Sequence, residues 1–126
     1  MHREEILYNA FFKAQDRFIH DNQPLGSEPE IIQEYIQSGL LLASLYRPET
    51  HHENSLLHEL FLRQIFFHLL DAIQNPANSR IFRRICLDSI HIPLLTLKRY
   101  YHQLDNGDVK LMELQQQLRM IQTILD

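Results

Sequence analysis

With 126 residues the chain has the size of one domain and can bury a core. Hydrophobic residues at 44% and charged residues at 22% exclude a disordered composition, and three glycines with five prolines argue against a strand-and-turn fold. A single cysteine, Cys86, excludes an internal disulfide and a multi-cysteine metal cluster, while a net charge of −4 weighs against non-specific attraction to nucleic acid.

The chain opens on "MHREEILYNAFFKAQ", which is acidic and amphipathic, with neither the cationic start nor the unbroken apolar core of a secretory signal. No apolar run approaches the roughly 20 residues that cross a bilayer. A soluble, cytoplasmic protein with no membrane contact is the expectation.

Apolar spacing predicts about six helices with short connections. In the first, near 3–21, Leu7, Phe11, Ala14 and Phe18 form one stripe, and Tyr8, Phe12 and Ile19 a weaker second one. Ser27 and Glu30 have capping-box spacing at the start of the second helix, whose inner face is read as Ile32, Tyr35, Ile36, Gly39, Ala43 and Tyr46. Arg47-Pro48 ends it. Thr50 and Glu53 suggest a second capping box, opening a third helix that runs to about Asn75. One broad face of that helix holds Phe61, Leu62, Ile65, Phe66, Leu69, Ala72 and Ile73, yet Leu60, Phe67 and Leu70 intrude on its polar side. A helix apolar on more than one side is central in its domain or shared with a partner.

Asn75-Pro76 reads as N-cap and first residue of a fourth helix to about residue 90, and Pro93 starts a fifth to about 104. In "DNGD", Asn106 or Gly107 suits a left-handed cap and Asp108 the next N-cap. The last helix has a seam of Leu111, Leu114, Leu118, Ile121 and Leu125 at steps of three and four, with Val109, Met112, Met120 and Ile124 away from it. So regular a seam is expected to dock between earlier helices or against a second copy. With no repeat or long linker, residues 1–126 read as a single all-α helical bundle.

Residues 80–104 break the charge pattern. Arg80, Arg83, Arg84, Lys98 and Arg99 stand against one acid, Asp88, so this segment carries +4 in a chain of −4 and the remainder carries −8. The stretch "LDSIHIPLLTLKRYYHQL" resembles the helix-turn-helix motif of DNA-binding proteins. That resemblance implies Leu87, Ile90 and Ile92 buried in the first helix and turn, with Leu97, Tyr101 and Leu104 anchoring the second helix. Leu95, Thr96, Lys98, Arg99, His102 and Gln103 would then face the groove. Leu87 stands where the family favours a small residue, and His91 where it favours glycine. The other reading is two bundle helices whose bases are solvated, paired internally or met by an acidic partner.

Catalytic and metal signatures are missing. His51, His52, Glu53, His58 and Glu59 cluster in "THHENSLLHE", but Leu62 occupies the place of the second histidine of a zinc H-E-x-x-H pair. No serine sits in a nucleophile elbow, "DNGD" lacks the register of a calcium loop, and Cys86 falls on an inner helix face. No enzyme activity, cofactor or metal is expected. The two-sided helices favour a protein-protein interaction module (an adaptor, small chaperone or regulatory subunit) that forms a homodimer or binds another protein through Leu60, Phe67, Leu70, Met112, Met120 and Ile124. A DNA-binding regulator using Arg80, Arg83, Arg84, Lys98, Arg99 and His102 is the alternative.

Overall fold

The computed structural model describes residues 2–20 and 25–125, with side chains to residue 121. It is all-helical: α1 (Arg3–Ile19), α2 (Glu28–Ser44), α3 (Ser55–Gln74), α4 (Arg80–Ser89), α5 (His91–Tyr101) and α6 (Gly107–Leu125). Ile90 alone separates α4 from α5, and its own φ of −64° and ψ of −22° are helical. Taken as one bent helix, the pair reduces the six segments to five. The chain divides into two units, residues 1–65 and 66–126, with the boundary inside α3.

In residues 1–65 the core is aromatic. α1 packs along α2, with Phe11, Ala14 and Phe18 of the first and Ile31, Ile32, Tyr35 and Ile36 of the second all buried, and the rings of Phe11 and Phe18 both stack on Tyr35. The Phe18 and Tyr35 rings stack with centroids 4.6 Å apart, and Phe61 from α3 sets its edge against Tyr8 and Phe11 at 5.8 and 5.9 Å. Aromatic pairs of this kind contribute about 0.5–1.5 kcal/mol each beyond their buried area. Gly39 is needed for close approach, since a Cβ there would lie 2.5 Å from Ile65 Cδ1 and 3.2 Å from Phe11. His58 is buried, and its Nδ1 lies 2.7 Å from the Ala43 carbonyl, joining α3 to α2. The "THHENSLLHE" histidines therefore part company: His58 is structural, while His51 and His52 remain on the surface.

In residues 66–126 the core gathers Phe66, Leu69 and Ile73 of α3, Phe82 and Cys86 of α4, Ile90, Leu97 and Tyr101 around α5, and Leu111, Leu114 and Ile121 of α6. α6 packs on α5. Gly107 opens α6 because nothing larger fits: a Cβ would run into the backbone of Tyr101. Its role is steric. Among the described residues only Gly26 and Glu49 have positive φ, so no left-handed cap forms in "DNGD".

The helix starts differ from the sequence reading for reasons of hydrogen bonding. Ser27 precedes α2 without a side-chain cap, and Glu28 Oε1 instead accepts from the Gly26 amide at 2.8 Å. Thr50 closes α2, donating its hydroxyl to the carbonyls of Leu45 and Arg47 at 3.0 and 2.8 Å, while Asn54 accepts from the Leu57 amide and starts α3. Residues 75–78 finish α3: Asn78 Nδ2 donates to the Ala72 carbonyl at 3.0 Å. Ser79, accepting from the Phe82 amide at 3.2 Å, is the N-cap of α4.

Candidate interaction surfaces

α6 is apolar on two opposite faces. Leu111, Leu114 and Ile121 are buried and Leu118 is half-buried, as the seam predicts, while Val109, Met112 and Met120 are 62%, 64% and 65% exposed. The side chains of Ile124 and Leu125 lie outside the described residues. At 100° per residue Val109, Met112, Gln116 and Met120 fall within about 80° of one another, on the side away from the seam. Solvated polar residues normally fill such a face.

The three intruding residues of α3 have three different fates. Leu60 is 52% exposed, Phe67 is half-buried with its ring edge-to-face on Phe66 at 5.3 Å, and Leu70 is 4% exposed. Leu70 is thus a core residue and leaves the set of surface candidates. The wheel grouped it with Leu60, but the two lie on opposite sides of the unit boundary within α3 and meet different packing. Leu56, one turn before Leu60, and Phe12 on α1 are exposed apolar residues absent from the candidate set. The weak second stripe of the first helix was the available signal for Phe12.

The basic island is partly structural. Arg83 donates Nε–H to the Ile73 carbonyl at 2.7 Å, and Arg84 Nε stands 3.7 Å from Asp88 Oδ1 one turn on. Arg80, Lys98, Arg99 and His102 are exposed, as are Leu95 and Gln103. The turn of a helix-turn-helix, three or four residues long, is missing because the chain passes from α4 to α5 through one helical residue. His91 needs no positive φ, since it is already the first residue of α5. Ile92 and Leu104, expected to be buried, are exposed. Lys98 and Arg99 sit in the last turn of α5, where cations complement the helix dipole, whereas recognition helices read bases from their N-terminal residues.

Burial pushes the Cys86 thiol up to about 12, which makes it a packed side chain and a poor nucleophile. Among the described residues no group of three or more His, Cys, Asp or Glu side chains is placed to hold a metal, and no helix is long and apolar enough to cross a membrane. No family model, curated protein or solved structure matches the chain.

Proposed function

We propose that the protein is a non-enzymatic helical interaction module that self-associates through the outer face of α6. The observation that carries this reading is the exposure of Val109 and Met112 on a helix whose opposite face is already filled by core leucines. Flexible, polarizable methionine side chains suit adaptable apolar contacts. The occupant is a second copy of the chain. Glu113 and Arg119 give this face one acid and one base, so two identical faces meet without net repulsion. Covering Val109, Met112 and Met120 on each copy removes from water side chains worth roughly 1.5–3 kcal/mol apiece when fully buried. Light scattering on the purified chain and on a Val109→Glu/Met112→Glu variant tests the reading.

A DNA-binding regulator is the second reading, supported by the exposure of Lys98, Arg99 and His102 on α5. Its test is a salt-dependent mobility shift on duplex DNA, in which Lys98→Ala/Arg99→Ala flattens the salt slope by about two units. It ranks second because those bases sit at the wrong end of α5 for base readout.

A further inference from the structure

Residues 1–65 carry an open cavity of about 500 Å³ where the start of α1 meets the end of α2. Its lining holds two arginines and three histidines against one carboxylate. His2 and Arg3 come from the start of α1, and Arg47, His51 and His52 from the connection after α2. The one carboxylate in the lining, Glu4, keeps its charge but is tied at Oε1, which accepts from the Tyr46 hydroxyl at 3.2 Å, and that hydroxyl also bonds Tyr8 at 2.6 Å. Neither Arg3 nor Arg47 has a carboxylate within ion-pairing distance among the described residues. His2 caps α1 without a side-chain hydrogen bond, so the cavity is bordered by the uncapped amides of a 17-residue helix.

The connection that supplies Arg47, His51 and His52 is held in an unusual shape. Glu49 has a φ of 71°, in the left-handed region that favours glycine. The Thr50 hydroxyl fixes one side of it through the Leu45 and Arg47 carbonyls, and the Asn54 amide donates to the Tyr46 carbonyl at 2.9 Å on the other. Backbone strain retained by surrounding bonds is concentrated where a loop holds its side chains ready for a ligand.

We infer that this cavity binds a small organic phosphate. Guanidinium groups grip phosphate oxygens in pairs, imidazoles add donors, and a helix N-terminus offers further N–H groups. The volume lies in the range of pockets that enclose a whole small molecule and exceeds the needs of a lone phosphate, so the ligand is a phosphate ester with an organic portion. The cavity belongs to residues 1–65 and α6 to residues 66–126, so the inference stands or falls independently of self-association.

Calorimetric titration of the full chain at low salt tests it, using AMP, glucose 6-phosphate, adenosine and inorganic phosphate as probes. At least one of the two esters binds more tightly than inorganic phosphate, adenosine does not bind, and added salt weakens the interaction. Arg3→Gln/Arg47→Gln weakens ester binding by about tenfold or more, the loss expected for charge-assisted hydrogen bonds. His51→Asn/His52→Asn, confined to exposed loop positions, weakens it by a smaller factor and supplies the same test should the arginine variant misfold. Lys98→Gln/Arg99→Gln on α5 leaves it unchanged. The inference is overturned if neither ester binds at millimolar concentration, or if inorganic phosphate binds as tightly as the esters. Equal binding by the wild-type and both cavity variants overturns it too. So does duplex DNA that outcompetes the esters and loses its affinity in the same variants, because the ligand would then be a nucleic-acid backbone.

Discussion

The Arg83 guanidinium donates Nε–H to the carbonyl of Ile73 at 2.7 Å, ten residues earlier in the chain. Ile73 lies in the last turn of α3, where carbonyls have lost their helical partners, and Arg83 is half-buried against it. One cation of the basic island therefore closes a helix. Arg83→Gln shortens the reach and removes the charge. It is expected to lower unfolding free energy by about 1.5–3 kcal/mol, the usual range for a hydrogen bond to a charged group. The same change at exposed Arg80 should stay within about 0.5 kcal/mol. Urea denaturation of both variants reads the difference, and equal small losses would contradict the capping role.

Gly107 and Tyr101 define a second sensitive point. Alanine is ordinarily the better helix former, but at residue 107 its methyl would collide with the Tyr101 backbone and force α5 and α6 apart at their junction. Gly107→Ala is expected to destabilise by about 1–3 kcal/mol or more, as overpacking does. Gly26→Ala meets open space but a φ of 94°, so it is penalised through backbone conformation alone. A Gly107→Ala protein that melts at or above the wild-type temperature would contradict this packing.

His68, half-buried on α3, responds to acid. Burial holds its imidazole below its ordinary pKa, and the Asp71 carboxylate opposes that shift only in part. The unfolded chain therefore binds more protons than the folded one as pH falls, so this contribution is full above the unfolded value of about 6.5 and is lost as pH drops through the folded value. The melting temperature should decline from pH 7 toward pH 5, and His68→Gln should flatten the decline. An unchanged slope in that variant would remove His68 as its cause.

Cys86, fully buried and pushed up to about 12, should resist thiol reagents in the native state at pH 8 and react fully in denaturant. Reaction of the folded protein at the rate of a free thiol would place Cys86 at an open surface.

How much of this was legible in the sequence depends on how far apart the partners lie. The α6 seam could be read directly, because Leu111, Leu114 and Ile121 report one neighbour at one helical period. The inner face of α3, from Phe61 to Ile73, was legible for the same reason. Leu70 and Leu60 were not separable, since a wheel assumes one environment along a helix and α3 passes from one unit into the other. Caps moved wherever a side chain found a better acceptor or donor: Thr50 turned back to α2, and Ser79 displaced Asn75. Of the cavity lining, only the adjacent His51 and His52 stood out locally, within "THHENSLLHE". Arg3 and Arg47 lie far apart in the chain, and only the folding of α1 onto α2 brings them to one lining.

The outer face of α6 is the centre of the functional account, and its oligomeric state is the most direct test. Size-exclusion chromatography with light scattering at micromolar concentration should give a mass near twice the 15.1 kDa of the chain. Val109→Glu/Met112→Glu, which leaves the buried seam untouched, should return that mass to the single-chain value while preserving the helical signal and the cooperative melt. A wild-type protein that stays at 15.1 kDa across the range, or a variant that keeps the dimer mass, would contradict self-association through this face.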